Sequence, residues 1–255
     1  MRIQVAGTLL LLGLAAGSLP GQVTEGTVPS ARGQWTIESD LAWHAVDHWT
    51  PARDDVHFTE TGGLAVLASY GLSETADVQV GWNGWTTASS RGPGVTERIE
   101  GAGDIIARAK WNFAGDESTG SAWAVLPYIK IPTAADPVEN GAWEPGVALV
   151  QGMPWGAAGW FNAMLAIDAL EDDTGRRTTA GFASAVAGTS IGDGVDAYAE
   201  LVAEWDYDGG APAITGGVGF AWAASETLVF DVQALVGLNR SAVDWMPVLR
   251  LVWTP

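Results

Sequence analysis

After residue 33, apolar and polar residues alternate along short segments, and the turns between these segments are alternately short and long. The pattern is clearest in residues 228–238. One face of this segment carries Leu228, Phe230, Val232, Ala234, Val236 and Leu238, and the other carries Asp231, Gln233 and Gly237. Successive side chains of a strand point to opposite faces, so the segment predicts a strand with one apolar and one polar face. Repeated along a chain, this pattern is typical of a membrane-spanning β-barrel.

The alternation predicts twelve strands, and an even number is usual for bacterial single-chain barrels. The predicted strands are 35–47, 61–71, 77–87, 100–113, 121–132, 143–154, 160–170, 177–189, 195–206, 213–223, 228–239 and 245–253. The predicted fold is therefore all-β: a single antiparallel up-and-down transmembrane β-barrel of about 12 strands, spanning residues 35–255.

The lengths of the connections predict which end of the barrel is which. The short turns are 72–76, 114–120, 155–159, 190–194 and 224–227, and the longer connections are 48–60, 88–99, 133–142, 171–176, 209–212 and 240–244. Outer-membrane barrels have short periplasmic turns and longer outer loops. We therefore expect both ends of the mature chain to face the periplasm.

Composition supports a lipid-facing exterior. The 255 residues are 47% hydrophobic, yet no apolar helix of about 20 residues is present, which argues against a helical membrane protein. A soluble β-sandwich would carry charged residues outside, but only 16% of this chain is charged. Tryptophans also lie near many predicted strand ends, where indole rings suit the membrane interface. These are Trp43, Trp82, Trp111, Trp123, Trp155, Trp205, Trp222, Trp245 and Trp253.

The N-terminus has the features of a signal peptide. A short basic start at Met1 and Arg2 precedes the apolar run 5–16, and Ala16-Gly17-Ser18 offers a cleavage site of small residues. The run is too short to cross a bilayer. We predict a signal peptide over 1–21, followed by a periplasmic segment over 22–34 that is a candidate plug for the barrel.

Charge and cysteine content remove several classes of function. The chain has no cysteine, which excludes disulfides and thiolate metal sites. Its net charge of -18 argues against binding nucleic acid, because a phosphate backbone requires a basic surface. Acidic residues instead collect in predicted connections, as at 54–55, 136–139, 171–173 and 206–208. No cofactor is predicted.

The fourth and fifth strands carry a family resemblance. The segment 103–111, with its Gly-Asp and Arg-x-Lys pairs, precedes 127–133, which contains Lys-x-Pro-Thr. Together they resemble the central hairpin of the family named for the MetA pathway of phenol degradation. In order and spacing, the resemblance extends over about 61–253. It implies an outer-membrane barrel transporter. Barrels of this kind commonly end on an aromatic residue, whereas here Trp253 is followed by Thr254 and Pro255.

Strand parity predicts charged walls inside the barrel. If the apolar residues of 104–113 face lipid, the opposite parity sends Asp104, Arg108 and Lys110 into the lumen, and Tyr128 and Lys130 follow them on the next strand. A hairpin symmetric about Glu117 would place Asp104 directly opposite Lys130, and that ion pair would fix the strand register. Such a pair can also be purely structural.

The facing wall is predicted to be acidic. Tyr198, Glu200 and Glu204 share one face of the ninth strand, and Asp168 and Asp231 have the same parity on theirs. Opposed basic and acidic walls would impose a transverse field on solutes. The same charges could instead neutralise one another and fill the interior. Eight-stranded barrels are filled and sixteen-stranded barrels hold a channel, so twelve strands leave both alternatives open.

Three possible enzyme or metal signals are weak. Residues 188–192 match Gly-x-Ser-x-Gly, but that pattern has catalytic meaning at a strand-to-helix elbow, and here it falls in a predicted turn. His44, His48 and His57 cluster near the first outer loop, where solvated histidines are the simpler interpretation of the sequence. The acidic loop 171–175 lacks the spaced ligands of a calcium loop. No enzymatic activity is predicted.

The sequence thus predicts a monomeric channel in the outer membrane of a Gram-negative bacterium that passes small molecules by passive diffusion. The family resemblance implies small aromatic or apolar catabolic substrates. Expected partners are outer-membrane lipid, lipopolysaccharide, the barrel-assembly machinery and the solutes themselves. The alternative is a closed structural or adhesive barrel with acidic outer loops.

Overall fold

A computed structural model describes residues 23–46, 57–92, 95–134, 140–171, 174–206 and 210–255. The predicted signal peptide lies outside the described residues, as do His48 and the two aspartates Asp172 and Asp173 of the acidic loop 171–175. In the described part of the chain, no helix is long and apolar enough to span a membrane.

One sheet contains all fourteen strand segments. They are β1 (Trp35–Val46), β2 (His57–Ser73), β3 (Ala76–Trp82), β4 (Trp85–Gly92), β5 (Val95–Ala102), β6 (Ile105–Ala114), β7 (Ala122–Ile131), β8 (Glu144–Trp155), β9 (Gly159–Glu171), β10 (Arg177–Gly192), β11 (Val195–Asp206), β12 (Ala213–Ser225), β13 (Leu228–Gly237) and β14 (Trp245–Trp253). Neighbours pair antiparallel, and β1 pairs with both β14 and β2, which closes the sheet into a barrel.

The fourteen segments form twelve strands. β2 pairs with β3 along Val66–Ser73 and with β4 along His57–Gly62, so β3 and β4 are two parts of one strand. β5 and β6 form the next strand in the same way. Asn83 and Gly103 donate backbone hydrogen bonds across these two interruptions, to Asp104 (3.0 Å) and Gly84 (2.7 Å). The prediction of a twelve-stranded up-and-down barrel is confirmed.

Two of the predicted long connections are shorter than expected. β2 already begins at His57, and the hairpin of β4 and β5 extends to Gly92 and Val95. β7 ends at Ile131, which pairs with Ile105, so the β4–β5 hairpin extends beyond the end of β7. Outside the membrane a strand needs no apolar face, and the predicted connection 88–99 therefore lacks the alternation on which the strand predictions depended.

Alternation decides what faces lipid. On β13 the side chains of Phe230, Val232 and Val236 are exposed, whereas Asp231 and Gln233 are buried inside the barrel. The exterior carries comparable aliphatic residues on other strands, among them Leu41, Val80, Val147, Leu149, Leu165, Ile167, Leu201, Val218 and Leu249. In water such a continuous apolar band would favour aggregation, but in lipid it is the stable surface. Barrel closure satisfies the backbone hydrogen bonds that lipid cannot.

Tryptophan follows the same surface. Seven of the nine tryptophans predicted at strand ends are exposed on the exterior, and Trp43 and Trp205 are half-buried. The seven are Trp82, Trp111, Trp123, Trp155, Trp222, Trp245 and Trp253. Some form aromatic pairs, such as Trp222 with Phe230, whose ring centroids are 5.9 Å apart. These rings give the barrel its interfacial aromatic surface.

Candidate functional site

The barrel interior is the candidate site, and the ten predicted lumen residues face it from five strand segments and one strand interruption. Nine are buried: Asp104, Arg108, Lys110, Tyr128, Lys130, Asp168, Tyr198, Glu200 and Asp231. Glu204, near the C-terminal end of β11, is half-buried. A buried charge needs a partner, so the identity of each partner defines the chemistry of the interior. A role in transport for these residues stays a prediction.

Lys130 is the centre of one ion-pair cluster. Its Nζ lies 3.2 Å from Asp104 Oδ2 and 3.0 Å from Glu144 Oε2, and it donates to Asn140 Oδ1 at 2.8 Å. Asp104 Oδ1 also accepts the backbone N–H of Thr133 at 2.7 Å. The cluster therefore ties the β6–β7 hairpin to the beginning of β8.

The Asp104–Lys130 ion pair is present, but the predicted register is wrong. Lys130 lies directly opposite Ile106 rather than Asp104, so the hairpin is centred on Ser118 rather than on Glu117. Two features shift the pairing: a bulge between Asn112 and Ala114, and a turn in which Asp116 Oδ1 accepts the Ser118 N–H at 2.9 Å. Lys130 reaches Asp104 diagonally, which long side chains permit.

The basic residues of β6 bind a carboxylate from outside the barrel wall. Arg108 Nη2 lies 2.9 Å from Glu25 Oε1, and Lys110 Nζ lies 2.9 Å from Glu25 Oε2. Arg108 Nε donates to Gln79 on β3, which lies directly opposite. Burial favours a raised pKa for the Glu25 carboxyl, but Arg108 and Lys110 outweigh burial and lower its pKa to about 2. Glu25 is thus a fixed negative charge at neutral pH.

The segment that carries Glu25 also contacts the acidic wall. Glu200 accepts the backbone N–H groups of Val23 (3.0 Å) and Thr24 (2.6 Å), the Thr24 hydroxyl (2.6 Å) and the Gln233 amide (2.6 Å). Ser184 Oγ lies 2.7 Å from Thr24 Oγ1, which accepts the Ser184 hydrogen because the Thr24 hydroxyl hydrogen goes to Glu200. Val23, Thr24 and Glu25 therefore connect the two predicted walls of the interior.

The rest of the segment follows the strand ends near the β2–β3 and β6–β7 turns. Thr27 donates its hydroxyl to Glu117 in the β6–β7 turn at 2.6 Å, and the Ser30 N–H donates to Asp77 Oδ2 at 2.8 Å. Arg32 then forms a parallel bridge with Gly71 of β2, just before β1 begins. Residues 23–32 thus cross the barrel interior from β10 and β11 to β2.

Two tyrosines lie flat against the interior wall in the same way. Tyr128 of β7 donates to Asp168 of β9 at 2.6 Å, with its ring over Gly146 of the intervening strand β8. The prediction that Asp168 belongs to the wall opposite Tyr128 is therefore wrong. Asp168 lies on the same wall, two strands from Tyr128, and the two side chains are long enough to meet over the glycine of the strand between them.

The second unit repeats this arrangement on the other side of the barrel. Tyr198 of β11 donates to Asp231 of β13 at 2.7 Å, and its ring lies over Gly219 of β12. In both units the glycine lets the ring approach the backbone, because a Cβ at that position would overlap the ring.

Glycine removal should break these units. In Gly146→Ala and Gly219→Ala, the added Cβ displaces the ring and strains its hydrogen bond, so we expect a loss of about 1–3 kcal/mol for each. Urea unfolding followed by tryptophan fluorescence measures the change. The matched control is Gly120→Ala, where no heavy atom lies within 4 Å of the new Cβ. Equal stability of all three variants would contradict the close-packing argument.

Some interior residues were missed by sequence reasoning. Gln79, Gln233 and Glu144 have inward parity on their strands, so the same rule could have found them. Glu25 and Thr24 lie outside any alternating segment, and no pattern in the sequence indicated their partners.

The weak enzyme and metal signals gain no support from the geometry. Residues 188–192 form the end of β10, and a turn and β11 follow rather than a helix. His57 begins β2 and His44 lies on β1. Among the described residues, no group of three or more His, Cys, Asp or Glu side chains is arranged to hold a metal ion.

Solved structures with the same fold are outer-membrane proteins. An outer membrane channel from Pseudomonas putida F1 aligns with a TM-score of 0.72 and 13% identity, covering 90% of this chain and 98% of that chain. The KdgM porin aligns with a TM-score of 0.55 and 7% identity, covering 86% and 98%. The CymD monoaromatic hydrocarbon channel aligns with a TM-score of 0.52 and 10% identity, covering 92% and 95%. At these identities the likeness shows the fold.

Sequence comparison gives the family. No curated protein has a significantly similar sequence. The sequence profile of one family matches residues 20–253, which is nearly the whole chain, and the predicted resemblance is confirmed. The chain belongs to the family described as "Putative MetA-pathway of phenol degradation".

Proposed function

We propose that this chain is an outer-membrane channel that passes small molecules by passive diffusion. The observation that carries the proposal is the distribution of polarity, which is opposite to that of a soluble protein. The closed barrel has an apolar exterior and an interior of paired charges. Structures of the same fold include an outer membrane channel and a porin. Passive diffusion is the simplest mechanism for such a barrel.

The proposed solutes are small aromatic compounds. The family description names phenol degradation, and CymD, which has the same fold, is a monoaromatic hydrocarbon channel. Inside this barrel, Tyr128 and Tyr198 are held flat by Asp168 and Asp231, so each presents a ring along the wall. Ring faces and paired charges suit a solute with one aromatic and one polar end.

Residues 22–34 are proposed to form a plug. The buried contacts of Val23, Thr24 and Thr27 support this, because they place a chain segment across the path of a solute. The same contacts favour a second candidate function, the closed structural or adhesive barrel with acidic outer loops. The two proposals differ in whether the plug leaves the lumen.

The proposed setting is the outer membrane of a Gram-negative bacterium, with a monomeric barrel and both termini in the periplasm. The turns 74–75, 156–158, 193–194 and 226–227 are two or three residues long and lie at one end of the barrel, together with the start of β1. Short turns are a periplasmic feature. We also propose that the apolar band contacts lipid and lipopolysaccharide after insertion by the barrel-assembly machinery.

Uptake of a labelled aromatic solute tests the proposal. In porin-depleted cells that express the chain, we expect uptake of benzoate and of benzyl alcohol to be faster than in cells with an empty vector. The rate should rise linearly with concentration and should not respond to an uncoupler, because diffusion needs no energy source.

Folding in the outer membrane is the control, measured by heat-modifiable migration on denaturing gels. Unchanged uptake from a folded, inserted protein would exclude the channel and favour the closed barrel. Saturating, uncoupler-sensitive uptake would contradict passive diffusion.

A further inference from the structure

The carboxylate of Glu25, in the proposed plug, occupies a site with the geometry of a solute-binding site. Arg108 and Lys110 are two residues apart on β6, point the same way and each contact a different oxygen of Glu25, both at 2.9 Å. The Arg108 and Lys110 side chains are 1% and 8% exposed, and Gln79 holds the guanidinium from the neighbouring strand. Two fixed cationic donors facing the two oxygens of one planar group form a carboxylate site.

This ion pair differs from the others inside the barrel. In the pairs Asp104–Lys130 and Asp40–Arg250, both partners belong to the barrel wall. A solute carboxylate could therefore take the place of Asp104 or Asp40 only if the sheet were disturbed. Glu25 lies outside every strand, seven residues before the bridge of Arg32 to Gly71. Its carboxylate can therefore be exchanged for another while all twelve strands stay paired.

The charges around the site determine which solute could replace the Glu25 carboxylate. Asp77 of β3 lies directly opposite Lys110 of β6, and its negative charge balances one of the two cations. Without Glu25, the site keeps about one net positive charge, which matches a monocarboxylate. Glu200, contacted by Val23 and Thr24 from the same segment, belongs to the acidic wall and would repel a second carboxylate.

We propose that Arg108 and Lys110 form a binding site for the carboxylate of a small monoanionic solute, and that Glu25 of the plug occupies this site as a competing internal ligand. An aromatic acid such as benzoate fits the site, with its ring along the tyrosine-bearing wall. The inference rests on the proposed channel function and names one substrate class for it.

The test compares benzoate with benzamide, its neutral analogue of the same shape, on full mature chains in planar bilayers. In Glu25→Gln the internal carboxylate is gone, so benzoate should reduce the ion current in a saturable way and benzamide should not. The wild type should need about tenfold or more benzoate for the same reduction, because Glu25 competes. Adding Arg108→Gln and Lys110→Gln to the Glu25→Gln variant should abolish the effect.

Glu117→Gln is the matched control. It removes a carboxylate that holds the plug through Thr27 but leaves Glu25 on its cations, so benzoate should act as on the wild type. Equal effects of benzoate and benzamide on Glu25→Gln would overturn the proposal, while the current itself would still support a channel.

If folded Glu25→Gln carries no current, the proposed function fails first, and calorimetry in detergent decides the binding site. Benzoate binding to Glu25→Gln but not to the triple variant would support the site. No preference for benzoate over benzamide would overturn it.

Discussion

A mature chain that begins at Ala31 should have a single-channel conductance several-fold higher than one that begins at Gln22. Among the residues removed, Val23, Thr24 and Thr27 pack inside the barrel and are at most 2% exposed. Their removal deletes no strand and keeps the bridge between Arg32 and Gly71. The interior volume that they fill becomes available to ions, and conductance measures this directly.

Two comparisons separate a plug from a structural segment. A chain in which residues 23–30 are replaced by a Gly/Ser sequence of equal length should conduct like the shortened chain, because a flexible linker has none of the contacts of Thr24 or Glu25. Heat-modifiable migration must show that all three proteins are folded. If the shortened chain is folded and conducts no better than the longer one, these residues do not obstruct the path and the plug is rejected.

Alternation predicted the barrel wall well, for a physical reason. Within the membrane every strand has lipid on one side, so β13 must place Phe230 and Val232 outward and Asp231 and Gln233 inward. The same parity placed Arg108, Lys110 and Glu200 inside without any knowledge of their partners. Twelve strands follow because the signal is repeated wherever the chain crosses lipid.

Partners and register depend on information that alternation does not carry. The outer part of the β4–β5 hairpin lacks the period that lipid contact imposes, and the prediction therefore placed a connection over 88–99, where β4 and β5 continue. A single bulge beside Asn112 changes which residue lies opposite Lys130 without changing any parity. Glu25 has no parity at all, because it lies in an irregular segment whose position is set by the charges it meets.

Glu25 changes the electrostatics of the predicted basic wall. Arg108 and Lys110 of the predicted basic wall are paired with Glu25, which offsets part of their positive charge. The transverse field expected from opposed walls is therefore weakened while Glu25 is in place. In the proposed channel, selectivity and the position of the proposed plug would be coupled through the Glu25 carboxylate.

Arg250→Met should destabilise the barrel by about 3 kcal/mol or more. Arg250 of β14 lies directly opposite Asp40 of β1 and contacts both its carboxylate oxygens, at 2.8 and 3.0 Å. It also lies 3.4 Å from Glu38. The Asp40 side chain is fully buried, so truncation of Arg250 leaves an uncompensated buried charge, which costs about 3–5 kcal/mol. The position is sensitive because β1 and β14 are the two ends of the sheet, and their pairing closes the barrel.

Urea unfolding of the refolded protein, followed by tryptophan fluorescence, measures this loss, and Arg98→Met is the matched control. Arg98 pairs with Glu100 at 2.9 Å, but the two side chains are 64% and 51% exposed, so removal of that pair should change stability by less than about 0.5 kcal/mol. Adding Asp40→Asn to Arg250→Met should restore part of the loss, because the buried charge is then removed together with its partner. If Arg250→Met unfolds at the same urea concentration as Arg98→Met, the ion pair contributes nothing to closure. Barrel closure would then depend on the backbone pairing of β1 with β14 alone.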